Sequence, residues 1–164
     1  MSYEDIIETF SDTVTRICLI KCRNYHNAQD CYQNVMFKLY KNLNNVSKLD
    51  EEGIKRWLIK VTLNECTTLY RKLIIHNTES IDSLIVADNP NFYDRELLEM
   101  VLKLPQKYKD VIYLYYYEGY PIPDIAKILN CPQSTVKTRL KRGRERLKIQ
   151  LENLERLGET LWKD

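Results

Sequence analysis

Apolar residues recur at helical spacing through the first 72 residues of the chain. Three such stretches span roughly Tyr3–Lys21, Ala28–Leu43 and Glu52–Lys72. Recurrence at i, i+3, i+4 and i+7 places apolar side chains on one face of a helix. The inward positions are Ile6, Ile7, Phe10, Val14, Ile17 and Cys18, then Cys31, Val35, Met36, Leu39 and Leu43, then Ile54, Trp57, Leu58 and Val61. Three such helices can bury one core, so the pattern predicts a small helical domain over 1–72.

Two segments interrupt or end this periodicity. Asn44–Gly53 is polar and contains Asn, Ser and Asp, which predicts a loop. From Leu73 to Tyr93, two short apolar patches are mixed with Asn, Ser, Asp and Pro. We therefore predict a flexible linker over 73–93.

Helical spacing resumes near Asp94. The segment DRELLEMVLKL predicts a helix that stops at Pro105, and QKYKDVIYLYYYEG predicts a helix that ends at Gly119. The second helix carries Tyr113, Tyr115, Tyr116 and Tyr117. For these tyrosines, core and interface packing is favoured over a platform for stacking nucleobases.

The most informative pattern runs from Tyr120 to Lys148, where two helical stretches flank a tight turn. Asn130 tolerates the left-handed backbone that ends a helix, and Pro132 suits the start of the next one. The inward positions are Ile125, Ala126 and Leu129 before the turn, and Val136, Leu140, Gly143 and Leu147 after it. The leucines at 151, 154, 157 and 161 continue this spacing. The predicted fold is all-α, with two small helical domains, 1–72 and 94–164, the second a helix-turn-helix.

The helix after the turn is strongly basic. Between Ser134 and Lys148 a single acid, Glu145, opposes seven cations, although the net charge of the whole chain is only +2. The cations are Lys137, Arg139, Lys141, Arg142, Arg144, Arg146 and Lys148. A solvated amphipathic helix would explain this charge, but not the turn residues or the small Ala126. A basic helix behind a tight turn fits the DNA major groove and its phosphates, so we predict DNA binding.

The composition argues against membrane and catalytic roles. No apolar run approaches the roughly 18 residues that a membrane-spanning helix needs. The N-terminal segment MSYEDIIETF lacks the basic and apolar regions of a signal peptide, so we expect a cytoplasmic protein. With two histidines, His26 and His76, and no Gly-rich phosphate loop, no catalytic group emerges.

Five cysteines raise the question of a metal site. Cys18, Cys22, His26 and Cys31 lie close together in sequence, which would suit zinc. However, Cys18 and Cys31 fall on apolar helix faces, and the spacing lacks a CxxC pair. Free cysteine often packs as a small buried hydrophobe. Buried thiols are therefore favoured, and no metal or cofactor is predicted.

Three segments, in their order along the chain, resemble bacterial RNA polymerase sigma factors of the sigma-70 family, extracytoplasmic-function (ECF) group. NAQDCYQNVMFKLYKNL resembles the helix that binds core polymerase, and IKRWLIKVTLNECTTLYRK resembles the segment that melts and recognises the −10 promoter element. LKLPQKYKDVIYLYYYEGYPIPDIAKILNCPQSTVKTRLKRGRERLK resembles the region that recognises the −35 element. The resemblance covers nearly the whole chain.

The resemblance implies roles for residues of the N-terminal domain. The positions that match core-polymerase contacts are Asp30, Gln33 and Asn34, the last of which stands where the family usually has Glu. The positions that match −10 contacts are Trp57, Lys60, Asn64, Arg71 and Lys72. Leu63 replaces a commonly basic residue, so one backbone contact is missing. The predicted loop Asn44–Glu52 lies where the family captures a flipped base.

The resemblance also implies −35 contacts along the basic helix. The matching positions are Gln133, Ser134, Thr135, Lys137, Thr138, Arg139, Lys141, Arg142 and Arg144. The first turns reach base edges, whereas Lys141, Arg142 and Arg144 suit phosphates. For Thr135, a helix cap and a base contact remain equal alternatives. Gly143 costs about 1 kcal/mol of helix propensity relative to Ala, which close packing against a neighbouring helix would explain.

The implied function is an alternative sigma factor without chemistry of its own. Its partners would be core RNA polymerase and promoter DNA, and the resemblance admits an anti-sigma factor as a third. The alternative is a stand-alone helix-turn-helix regulator that binds duplex DNA as a dimer, but the segment containing Trp57 and Asn64 argues against it. An enzyme with a DNA-binding appendage lacks candidate residues.

Overall fold

The computed structural model describes residues 1–22, 24–75 and 100–161. Within these ranges the regular structure is helical, and the chain divides into two compact units, Met1–Asn89 and Pro90–Asp164. The helices are α1 (Tyr3–Cys22), α2 (Tyr25–Val46), α3 (Glu51–Ile75), α4 (Gln106–Ile112), α5 (Ile122–Ile128) and α6 (Gln133–Leu161). Residues 100–103 are also helical. The predicted all-α fold with a C-terminal helix-turn-helix is confirmed.

Polar caps set where the N-terminal helices begin. Ser2 and Asp5 cap α1 reciprocally: the Asp5 amide donates to Ser2 Oγ at 3.1 Å, and the Ser2 amide donates to Asp5 Oδ2 at 2.8 Å. Asn24 caps α2 by accepting from the Asn27 amide at 3.1 Å. This cap explains why α2 begins at Tyr25, one turn before the apolar pattern predicts.

The predicted loop Asn44–Gly53 is wrong at both ends. α2 continues to Val46 and α3 begins at Glu51, which leaves only Ser47–Asp50 between them. Val46 is 2% exposed, so core burial holds the last turn of α2 in place despite its polar neighbours. Asp50 caps α3 by accepting from the Gly53 amide at 2.9 Å. The predicted base-capturing segment Asn44–Glu52 is therefore mostly helix end and helix start.

The core of the N-terminal unit lies between α1, α2 and α3, which all pack on one another. Most of the predicted inward residues form it, whereas Ile7, Leu43, Trp57 and Val61 pack partly buried against it. Ile17 is buried but is not a member of this cluster. The fully buried members include Ile6, Val14, Val35, Leu39 and Ile54. α3 extends to Ile75, so the first three residues of the predicted linker 73–93 are helical, and 76–93 lie outside the described residues.

A close helix contact organises the C-terminal unit. A Cβ at Gly143 of α6 would lie 3.0 Å from Ile112 Cγ1 and 3.5 Å from Tyr108 Cβ, both of α4. The hydrogen of glycine therefore lets α6 approach α4 closely, as the sequence predicts. Val136 and Leu140 on the same face are buried.

The turn of the helix-turn-helix has the backbone that its residues predict. Asn130 adopts a φ of +50°. The Cys131 amide donates to the Ala126 carbonyl at 3.0 Å, and the Asn130 amide donates to the Lys127 carbonyl at 3.3 Å. This pair of bonds is a Schellman motif, which ends α5 and turns the chain into α6.

A π-helical turn, Tyr113–Tyr117, follows α4 and is not predicted by the sequence pattern. The Glu118 amide donates to the Tyr113 carbonyl five residues earlier, at 3.2 Å. Tyr113 is buried, and its ring stacks on Tyr117 with centroids 5.8 Å apart. Its hydroxyl donates to Glu118 Oε1 at 2.6 Å. The predicted packing role of the tyrosines holds for Tyr113.

None of the helices in the described ranges combines the length and the apolar character that crossing a bilayer requires.

Candidate nucleic-acid interface

The first turns of α6 border a groove against α4. Ser134, Thr135, Thr138, Arg139 and Arg142 line one wall, and Lys107 and Tyr108 line the other. Gln133 and Lys137 are exposed beside it. The structure thus brings the predicted residues of the first two turns together on one open, cationic surface. This arrangement leaves polar side chains and positive charge available to a nucleic acid.

Tyr108 organises the cations of this groove. Arg142 lines the groove with it, and the ammonium of Lys107 lies 5.1 Å from its ring centroid. The guanidinium of Arg146 lies 5.3 Å from the same ring. Burial opposes ionisation of the phenol, but the neighbouring cations Arg142 and Lys107 outweigh it and lower the pKa of Tyr108. Three cations are therefore gathered around one ring.

Lys107 and Tyr108 are not among the residues that the sequence predicts for this surface. Their only local signal is their position after Pro105, at the start of a short helix. Their approach to α6 depends on the packing of α4 at Gly143, which sequence spacing does not specify.

Arg144 differs from the other predicted phosphate ligands. Its Nε donates to the Tyr116 hydroxyl at 2.7 Å, and its guanidinium lies 5.5 Å from the ring centroids of both Tyr115 and Tyr116. These contacts fix the guanidinium against the π-helical turn. Lys141 is exposed.

On α2, the three residues predicted to contact polymerase have different environments. Asp30 and Gln33 are exposed. Asn34 donates from Nδ2 to Glu65 Oε1 of α3 at 3.1 Å, and Lys38 forms an ion pair with the same carboxylate. The amide of Asn34 therefore links α2 to α3.

The exposed face of α2 also carries aromatic residues that the sequence pattern does not predict for it. Phe37 is 57% exposed and Tyr40 is 66% exposed. Lys41 lies over the Phe37 ring, with its ammonium 4.2 Å from the centroid. Phe37 follows Asp30 and Gln33 at i+7 and i+4, which places the three on one helical face. Phe37 and Tyr40 could have been found in the sequence as aromatic residues that lie outside the apolar stripe of α2.

On α3, the predicted −10 residues form a stripe. Trp57, Lys60, Asn64 and Arg71 are spaced i, i+3, i+7 and i+14, which keeps them on one side of the helix. Lys60, Asn64 and Arg71 are exposed, as is Lys72 next to them. Trp57 is partly buried against the core, so it anchors the stripe as well as bordering it.

Two family models match the chain. The model for sigma-70 region 2 matches residues 6–73, and the model for sigma-70 region 4 matches residues 94–147. Together they span about three quarters of the sequence, in the family's order. The chain belongs to the sigma-70 family. Region 2 coincides with the unit that holds α1 to α3, and region 4 contains the helix-turn-helix of this sigma factor.

Curated relatives assign the factor to the ECF group. It is 27% identical over 175 residues to the ECF RNA polymerase sigma factor SigW of Bacillus subtilis, with 93% of this chain and 90% of SigW covered. It is 29% identical to SigV of the same organism, with 83% and 82% covered. The factor therefore acts in transcription initiation, where it directs RNA polymerase to promoters.

Solved structures share the fold. The sigma factor RpoE of Bartonella quintana, in complex with the anti-sigma factor NepR, matches with a TM-score of 0.73 at 20% identity, covering 92% of this chain and 96% of RpoE. CnrH, in complex with the cytosolic domain of CnrY, matches with a TM-score of 0.65 at 17% identity, covering 92% of this chain and 88% of CnrH.

Proposed function

We propose that this sigma factor divides promoter recognition among three helices. α2 binds core RNA polymerase, the stripe on α3 binds the melted −10 strand, and the first turns of α6 recognise the −35 duplex. The open cationic groove between α4 and α6 is the observation that carries the proposal, because it combines polar side chains for base edges with charge for phosphates.

At the −35 element, residues 133–139 supply the base contacts and the cations around Tyr108 supply phosphate contacts. Arg139 lines the groove two turns into α6, and its guanidinium can donate to guanine O6 and N7 together. Lys107 and Arg142, held by Tyr108, flank it. Phosphate contacts fix the register of the helix on the duplex, and base contacts provide specificity.

At the −10 element, Asn64 is the base-recognising residue. It is exposed on α3 between Lys60 and Arg71, which are available to phosphates on either side. An amide carries both a donor and an acceptor, so it can pair with the edge of an unstacked base. Trp57 holds this part of α3 on the core and offers its free edge to the strand.

Core polymerase binds the exposed face of α2 through Asp30, Gln33 and Phe37. An exposed aromatic ring beside polar groups is typical of residues that dominate binding energy at protein interfaces. Asn34 contributes indirectly, because its amide is bonded to Glu65 and fixes α2 on α3.

The proposed setting follows from this division of labour. Two weak DNA-binding units gain avidity when polymerase holds both at the spacing of the promoter, so the free factor binds promoter DNA poorly. A factor that acts on RNA polymerase works in the cytoplasm. An anti-sigma factor is a further proposed partner, supported by the complex of the similarly folded RpoE with NepR.

Run-off transcription tests the proposal. Purified factor added to core polymerase is expected to start transcripts at one position on a cognate promoter, whereas the free factor gives little band shift on the same duplex. For variants of the groove cations, Lys148→Ala serves as the control that removes one charge elsewhere. Lys148 lies on α6 beyond the groove and is 78% exposed. Tight binding of free, dimeric factor to duplex DNA, without polymerase-dependent transcription, would instead identify a stand-alone regulator.

A further inference from the structure

Three cysteine sulfurs from three different helices lie together in the N-terminal unit. Cys22 ends α1, Cys31 lies on α2 and Cys66 lies on α3, and their Sγ atoms all lie within 4.8 Å of one another. The Cys22 thiol donates to Cys31 Sγ at 3.5 Å. Cys31 and Cys66 are 1% and 3% exposed, and Cys22 is half-buried.

A fourth cysteine adjoins this cluster. Cys18 precedes Cys22 by one turn of α1 and is buried, but its Sγ is not among the three sulfurs that all lie within 4.8 Å of one another, so a side-chain rotation would have to bring it in as a further ligand. Four of the five cysteines of the chain therefore lie in this unit, and three of them have their sulfurs together. The fifth, Cys131, lies in the other unit, in the turn between α5 and α6.

The spacing of the sulfurs suits a metal ion. A tetrahedral Zn²⁺ with Zn–S bonds of about 2.3 Å holds its sulfurs about 3.8 Å apart. The contact of 3.5 Å and the limit of 4.8 Å lie on either side of this value, so small side-chain rotations would complete the site. Packing as small hydrophobes accounts for the burial of these cysteines, but it does not require sulfur from all three helices to converge.

We propose that Cys22, Cys31 and Cys66, with Cys18 as the fourth ligand, bind one thiophilic divalent cation, with Zn²⁺ as the best fit. Each thiol loses its proton to solvent and donates a sulfur lone pair to the ion, so four protons are released and nothing is oxidised. Soft thiolate ligands select zinc over magnesium or calcium. Half-buried Cys22, at the end of α1, provides the entry path.

The ion would fasten together the two functional helices of this unit. Cys31 is adjacent to Asp30 on α2, and Cys66 follows Asn64 by two residues on α3. The Asn34–Glu65 hydrogen bond joins the same two helices. Bound metal would therefore fix the polymerase-binding face relative to the −10 face, and it would stabilise the unit because it binds the folded state.

Cobalt titration of the reduced, metal-free full-length factor tests the site. Co²⁺ is expected to bind with one equivalent and to give thiolate-to-cobalt charge-transfer absorption with the intense visible bands of a tetrahedral ion, which Zn²⁺ then removes. Cys31→Ser and Cys66→Ser should abolish these bands, whereas the matched control Cys131→Ser should leave them unchanged. Absence of the bands in the wild type, or their loss in Cys131→Ser, would overturn the proposal. Unchanged bands in Cys18→Ser would overturn the fourth ligand.

A measurement on the wild type avoids variants that fail to fold. Alkylation by iodoacetamide, followed by mass spectrometry, reports each thiol separately, with Cys131 as an internal control. A site saturated at 100 times its Kd is free about 1% of the time, so Zn²⁺ should slow alkylation of Cys22 at least tenfold and leave Cys131 unaffected. An unchanged rate at Cys22, or a Cys22–Cys31 disulfide forming in air in a chain that takes up no metal, would contradict metal binding.

Discussion

The close approach of Gly143 to Ile112 predicts that Gly143→Ala changes the stability of the C-terminal unit in opposite directions, depending on the residue at position 112. In the wild type, Gly143→Ala gains about 1 kcal/mol of helix propensity. The new methyl group would lie 3.0 Å from Ile112 Cγ1 and 3.2 Å from Cδ1, and Ile112 is itself fully buried. Overpacking of this kind costs about 1–3 kcal/mol. We expect a net destabilisation of the C-terminal unit by up to about 2 kcal/mol.

Removing the obstructing side chain should reverse this sign. Ile112→Ala deletes both atoms that the methyl group would meet, and alone it should cost about 2–5 kcal/mol. In that background Gly143→Ala keeps its propensity gain and partly fills the cavity, so it should stabilise the unit by about 1 kcal/mol. The coupling between the two positions should therefore be about 1–3 kcal/mol.

Native-state hydrogen exchange on the full-length chain is the suitable assay, because global denaturation would mix the unfolding of two units. Peptides from residues 106–147 report the opening free energy of the C-terminal unit, and peptides from α1 and α2 provide the internal control. If Gly143→Ala stabilised the unit equally in both backgrounds, the glycine would not be needed for close approach, and the packing argument would be refuted.

Three further predictions concern the proposed interfaces. Replacing Asp30 and Gln33 together with Ala should weaken binding to core polymerase in a pull-down, while helicity by circular dichroism stays unchanged. Asn64→Ala holoenzyme should lose discrimination among −10 variants, on closed templates and on pre-melted bubbles, when run-off transcripts are compared. Arg139→Ala should cost about 1–3 kcal/mol at one −35 base pair, measured as transcription from −35 variants, because it removes a base contact.

Each of these predictions has an outcome that excludes it. Undiminished polymerase binding would move the interface away from Asp30 and Gln33. Persistent discrimination on both templates would make Asn64 structural. A uniform loss across all −35 variants would assign Arg139 to phosphate, and the matched change Lys148→Ala shows how large a uniform loss one charge produces.

Features set by neighbouring residues could be predicted from the sequence. The turn at Asn130 follows from the conformational preference of one residue, and the buried face of α6 follows from helical period. The close packing of Gly143 could also be predicted from a local property. Glycine disfavours a helix relative to alanine, and close approach of a neighbouring helix explains its presence there. Local chemistry also predicted the exposed cations of α6.

Features that depend on contacts between distant residues could not be predicted in this way. The zinc alternative considered from sequence contained Cys18, Cys22, His26 and Cys31, but it lacked Cys66, which joins the cluster only because α3 packs on α2. The loop predicted over Asn44–Gly53 was too long. The prediction followed the polar composition of the segment, whereas burial of the single residue Val46 in the core extends α2 into it. Lys107 and Tyr108 joined the candidate site through the packing of α4 on α6.

The contacts of the π-helical turn Tyr113–Tyr117 depend on the exact number of residues in this segment. A π-turn is equivalent to one residue inserted into an α-helix, and each residue of an α-helix turns the chain by about 100°. Deleting a single residue here would restore regular helix and rotate Tyr117 and Glu118 away from Tyr113, with which both now make contact. The segment should therefore tolerate substitution at exposed Tyr116 far better than it tolerates a one-residue deletion.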